Sequence, residues 1–113
     1  MAVIVQKMIK ADYGGVVFTI DPIGKNSILI EVVEGSGEKL VGGEATPNSY
    51  YIDRKDFSIK QKKTTFKFNE KLLTDISKTA LKIERLYIYP QDIEFCLKDN
   101  ELFILQSRPI TTL

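Results

Sequence analysis

Asp92, Glu94, Gln106 and Arg108 are the residues of this chain best equipped for chemistry. They lie on two strand-like runs, Asp92 to Leu97 and Leu102 to Arg108, around Lys98-Asp99-Asn100-Glu101, which reads as a hairpin turn. Glu94 and Gln106 are an even number of positions apart, so an odd loop would set them directly opposite each other. Asp99-Asn100-Glu101 supplies such a loop, and Asn tolerates the left-handed conformation it needs. Asp92 then opposes Arg108 on the same face, while Ile93, Phe95, Leu105 and Ser107 point the other way. A two-residue loop would instead send Glu94 and Gln106 to opposite faces. In the first register a carboxylate, an amide oxygen and a guanidinium converge, a set suited to a metal-bound polyphosphate. Hard divalent cations such as Mg²⁺ take one or two carboxylates and complete their shell with phosphate oxygens. Gln106 offers a neutral carbonyl oxygen, and Arg108 can clamp phosphate through two hydrogen bonds and offset charge that develops during transfer. The same pattern also describes an ordinary surface hairpin in which Asp92 and Arg108 pair weakly across the strands.

Composition narrows what else the chain could do. At 113 residues, 43% hydrophobic and 27% charged, it has the size of one domain or a piece of one and enough apolar residues for a modest core. Sixteen Lys and Arg against fifteen Asp and Glu leave a net charge of +1, which gives no bulk attraction to nucleic acid or anionic lipid. A lone cysteine, Cys96, excludes an internal disulfide and a multi-cysteine zinc site, and reads as a small packing residue. With no histidine at all, serine–histidine and cysteine–histidine catalysis and histidine metal sites are excluded. The apolar N-terminal run ends at Gln6-Lys7 without a signal-peptide pattern, and no apolar stretch approaches the roughly 20 residues needed to cross a bilayer. The expectation is a cytoplasmic chain with no membrane and no nucleic-acid partner.

The elements that must position the hairpin are legible as short β-branched runs separated by turns. Ala2 to Met8, Gly15 to Ile20 and Ser27 to Val33 read as strands buried on both faces, with short buried helices as the alternative that periodicity leaves open. Asp21-Pro22-Ile23-Gly24 reads as a turn and Ser49 to Asp53 as a weaker strand. Glycines cluster at Gly35, Gly37, Gly42 and Gly43, and Glu31 and Glu34 read as solvated. The lysine-rich stretch from Arg54 to Lys67 reads as an exposed hairpin or a mobile loop. Leu72, Leu73, Ile76, Ala80, Ile83 and Tyr87 recur at helical spacing, with Asn69 as the expected N-cap and Pro90 as the stop. The expected fold is α+β (or α/β), a mostly antiparallel sheet flanked by one main helix and ending in a β-hairpin.

The blocks Gln91-Asp92-Ile93-Glu94-Phe95 and Leu102-Phe103-Ile104-Leu105-Gln106-Ser107-Arg108-Pro109-Ile110-Thr111 resemble the end of the ATP-binding domain of the phosphoenolpyruvate synthase and pyruvate phosphate dikinase family. Ala2 to Met8, Gly15 to Pro22, Gly35-Ser36-Gly37-Glu38, Val41, Gly43 and Pro47 resemble further motifs of that family, in the same order. Only Arg54 to Lys67 looks private to this chain, and Ser36 stands where the family loop usually has an apolar residue.

The resemblance implies an ATP-grasp-like half domain, with residues 1–113 as the C-terminal part of the nucleotide domain. It assigns Glu94 and Gln106 to Mg²⁺ and ATP, Arg108 to the transferring phosphates as a catalytic group, and Gln6 to the nucleotide. It further implies partners that this chain does not supply: the N-terminal lobe of the ATP-grasp domain, a phosphohistidine domain and a pyruvate-binding barrel. The chain is therefore expected to be a truncated piece or split-gene product of a larger phosphotransferase, inactive alone, and prone to self-association through surface that the other lobe would cover. A related phosphotransferase with another acceptor, such as an antibiotic, and a free-standing, non-catalytic nucleotide- or partner-binding remnant stay open as alternatives.

Overall fold

The computed structural model describes residues 10–24, 26–35 and 46–111. Within them the chain forms six strands and a helix: β1 (Tyr13–Phe18), β2 (Ser27–Glu34), β3 (Asn48–Asp53), β4 (Ile59–Lys63), α1 (Leu72–Tyr87), β5 (Gln91–Lys98) and β6 (Glu101–Pro109). The strands make one sheet in the order β4-β3-β2-β1-β5-β6. Every pairing is antiparallel. The α+β reading and the strand–helix order thus agree with the sequence, while the run Ala2 to Met8, Gln6 included, lies outside the described residues.

One face of the sheet carries the core. Val17, Ile28, Ile30, Val32, Tyr50, Ile52, Ile93, Phe95 and Leu97 pack with Phe68 and with Leu73, Ile76 and Ala80 of α1. The helix forms because its apolar residues recur at helical spacing and meet this surface on one side. Strands buried on both faces were expected; among the described residues the other face is buried only toward one end, at Val33 of β2 and Cys96 of β5. Leu29, between the buried Ile28 and Ile30, stays half-exposed, as do Val16 and Phe18 on β1. An alternating half-covered sheet, rather than a doubly buried one, is what antiparallel pairing with one helix produces.

Turn chemistry matches the sequence at most corners. The side-chain oxygens of Asp21 accept hydrogen bonds from the backbone N–H groups of Ile23 and Gly24, closing the β1–β2 turn. The lysine-rich stretch is an exposed β3–β4 hairpin, with all of β4 exposed. The helix start differs from expectation. The residue before the first helical turn is Lys71, with no side-chain cap, while Asn69 closes the preceding turn through Lys71 N–H at 3.1 Å. Asn competes for nearby backbone donors whether or not a helix follows at once, so its presence marks a start only to within a turn. Pro90 follows the helix as expected, after Ile88 in the left-handed conformation. Phe68 is part of the core and Phe66 packs against it, each ring also contacting Tyr13.

Candidate functional site

Glu94 pairs with Gln106, and Asp92 with Arg108, across the β5–β6 hairpin. The pairing is the expected one, but the route to it is not. The turn has two residues, Asp99 and Asn100, both left-handed at φ 51° and 64°, and Lys98 pairs with Glu101. That is the geometry of a tight hairpin turn whose twist matches the strands. On its own it would put Glu94 and Gln106 on opposite faces. A β-bulge corrects the parity: Phe95 pairs with Ile104, Glu94 with Gln106, and Leu105 is the extra residue between them. The predicted three-residue loop is therefore replaced by a shorter turn plus a bulge, with the same side chains brought together.

Asp92, Glu94, Gln106 and Arg108 line a shallow cavity of about 240 Å³, together with Val16, Phe18 and Glu31. Sheet register explains the additions. Val16 on β1 pairs with Glu94 on one side and Glu31 on the other, so Gln106, Glu94, Val16 and Glu31 form one row across four strands. Arg108, Asp92 and Phe18 lie in the next row. Glu31 corrects the sequence reading. It is half-buried, not solvated, and accepts a hydrogen bond of 3.4 Å from the Ser49 hydroxyl. The signal for it was the antiparallel β1–β2 register, which no single-strand pattern displays. Glu34 is exposed, as expected.

The floor of the site is polar but open. Arg108 Nε donates to Asp92 Oδ2 at 3.3 Å, with the arginine side chain 68% exposed and the aspartate 21%. In that setting the ion pair is held weakly, and the guanidinium can exchange it for a stronger anionic partner. Cys96 is buried two residues beyond Glu94, where burial pushes its thiol above the ordinary range and leaves it a packing group. Among the described residues no group of three or more His, Cys, Asp or Glu side chains is arranged to hold a metal ion. The donors present are the carboxylates of Glu31, Asp92 and Glu94 and the Gln106 amide oxygen, beside a guanidinium. This oxygen set fits a hard cation whose remaining positions are filled by phosphate, not one caged by protein alone.

The opposite face of the same strand ends is tied down by buried and half-buried polar contacts. Ser107 Oγ donates to Gln91 Oε1 at 2.8 Å, and Gln91 N–H donates to Thr19 Oγ1 at 2.8 Å. Arg54, from the β3–β4 turn, donates to the Thr19 carbonyl and forms a two-point ion pair with Glu84 of α1 at 3.1 and 2.7 Å. Burial alone would raise the Glu84 carboxyl, but the hydrogen bonds from Arg54 and Thr19 and the nearby guanidinium outweigh it and hold the group below its ordinary range.

Comparison with known proteins places the chain in a family. The profile of the family described as "Pyruvate phosphate dikinase, AMP/ATP-binding domain" matches residues 1–70 and 59–113. The two stretches overlap at β4 and the segment before α1, the region that looked private to this chain. The chain is similar over its whole length to the phosphoenolpyruvate synthase of Pyrococcus furiosus (32% identical) and a probable phosphoenolpyruvate synthase of Methanocaldococcus jannaschii (33%). It is also 32% identical, again over its whole length, to the rifampicin phosphotransferase of Bacillus cereus. It spans only 18%, 12% and 16% of those proteins, respectively. With every residue covered by the family match and by relatives above 30% identity, the chain belongs to the AMP/ATP-binding domain family of pyruvate phosphate dikinase and phosphoenolpyruvate synthase.

Proposed function

We propose that residues 1–113 are the C-terminal part of an ATP-grasp-like nucleotide domain and form one wall of a Mg²⁺·ATP site in a larger phosphotransferase. The observation that carries this reading is the bulged hairpin, which gathers Asp92, Glu94, Gln106 and Arg108 at one cavity on an uncovered sheet face. Glu94 and Gln106 would hold Mg²⁺, which when bound supplies positive charge between the phosphates. Arg108 would exchange its exposed contact with Asp92 for phosphate oxygens and offset charge as the terminal phosphoryl group departs. Gln6 completes the nucleotide contacts in this reading.

The reaction proposed for the whole protein is ATP-dependent phosphorylation of a histidine that passes the phosphoryl group to pyruvate. This chain has no histidine, so the carrier and the acceptor site belong to other domains, and the chain alone is inactive. A second acceptor class has one specific observation behind it. Similarity to a rifampicin phosphotransferase is as high as that to the Pyrococcus furiosus phosphoenolpyruvate synthase, so the likeness does not discriminate between the two acceptors. A free-standing nucleotide-binding remnant is the remaining reading.

Thermal unfolding with and without Mg²⁺·ATP tests the site. At about 100 times the dissociation constant, a ligand that binds only the folded state adds roughly 2.7 kcal/mol of stability. The expected outcome is a clear rise in Tm that requires both metal and nucleotide and disappears in Arg108→Ala. A rise of equal size in Arg108→Ala, or none in the native chain, would remove the hairpin face as a nucleotide site of this chain.

A further inference from the structure

We propose that Gln91 and Ser107 are positioning residues, whose half-buried hydrogen bond fixes β6 in the register that presents Gln106 and Arg108 to the cavity. Ser107 lies between those two residues and pairs with Ile93, so its side chain is on the opposite, core face of the sheet. Its hydroxyl donates to Gln91 Oε1 at 2.8 Å. Gln91 is only 1% exposed and is itself immobilised from several sides. Its side-chain amide donates to the Tyr89 carbonyl at 3.0 Å, its N–H to Thr19 Oγ1 at 2.8 Å, and its carbonyl accepts from Thr19 N–H at 2.9 Å.

The hairpin needs such a pin because little else specifies this register. β6 is an edge strand among the described residues. Leu102 and Ile104 pack against the core before the bulge, and Ile110 is buried just past the strand. Between Ile104 and Ile110 no β6 side chain is buried, so apolar burial does not by itself fix where the extra residue falls. The two-residue turn alone would send both Gln106 and Arg108 to the core face, and the bulge at Leu105 turns both to the cavity. Moving the bulge by one position past either residue turns that side chain away from Glu94 or Asp92. Past the bulge, the specific polar contacts on the core face are Ser107 to Gln91 and, one turn further, the Ile110 N–H to the Pro90 carbonyl at 3.0 Å. A hydroxyl that finds its single acceptor only in the native alignment rewards that alignment alone.

The experiment is proton NMR of the isotope-labelled full chain, reading through-space contacts across the hairpin together with amide exchange. In Ser107→Ala, cross-strand contacts at Glu94–Gln106 and Asp92–Arg108 should fall by at least half, and amides 106–109 should exchange at least tenfold faster. Contacts at Phe95–Ile104 and Lys98–Glu101 should persist, and Ser107→Thr, which keeps the hydroxyl, should restore the native pattern. A native pattern in Ser107→Ala overturns the proposal. So does collapse of the whole spectrum in both Ser107→Ala and the milder Ser107→Cys, because the contact would then support the fold at large. The consequence for ligand binding rests on the nucleotide reading above, so Mg²⁺·ATP titration is run alongside. Roughly tenfold weaker binding in Ser107→Ala with recovery in Ser107→Thr is expected. Unchanged binding in Arg108→Ala would defeat the nucleotide reading while the register result stands on the spectra.

Discussion

Gly15 sits where two sheet neighbours leave no room for a side chain. A Cβ at this position would press on the Glu31 carbonyl oxygen and lie 2.8 Å from the ring carbon Cζ of Phe95. The first contact is with backbone, which cannot swing aside as a flexible side chain would. Gly15→Ala should therefore cost about 2–3 kcal/mol through overpacking, seen as a lower midpoint in denaturant unfolding. A midpoint equal to the native one would contradict that close approach. The substitution also strains both flanks of the cavity, because Glu31 lines it directly and Phe95 follows Glu94 in β5. At this scale the sequence was informative about residue type and blind to neighbours. Asp92, Glu94, Gln106 and Arg108 could be named from their chemistry and spacing. Glu31 could not, since its half-buried place depends on which strand lies beside β2.

Element boundaries were legible because periodicity and turn residues report local physics. The run of apolar residues from Leu72 to Tyr87 is α1, and the alternating and apolar runs became β1, β2, β3, β5 and β6. The bulge at Leu105 was not legible, because an extra residue in a strand leaves no mark in a two-residue period. Nor was the tie between elements made by Arg54 and Glu84, which lie 30 positions apart. That tie has a pH signature. The Glu84 carboxyl is held below its ordinary range in the folded chain, so folding favours its charged form. Its contribution is complete above the unfolded carboxyl's titration and is lost as pH falls through the lower folded value. Glu84→Gln should therefore be less stable than the native chain by about 1 kcal/mol at neutral pH, with the gap closing as pH drops below about 4. Thermal unfolding across pH 3 to 7 checks this, and a gap independent of pH would assign the effect to packing.

Among the described residues a helix covers one sheet face, and the second face is buried at Val33 and Cys96 but half-open along the rest of its length. Val16, Phe18, Leu29 and Tyr51 on that face are half-exposed, and Ile23, Leu86, Ile88 and Tyr89 project apolar surface elsewhere. We expect the isolated chain to associate with itself as concentration rises, measured as increasing mass in light scattering, and a strict monomer at high concentration would argue against it. The topology also sets a schedule. β1 has β2 on one side and β5 on the other, so Tyr13 waits for Leu97 before the sheet is complete. During synthesis β1 to β4 can pair before β5 is available, and Glu94, Gln106 and Arg108 arrive only with β5 and β6, after α1. The cavity therefore comes into being only when β5 and β6 join β1, and until then Val16, Phe18 and Glu31 lack the carboxylates, amide and guanidinium that face them.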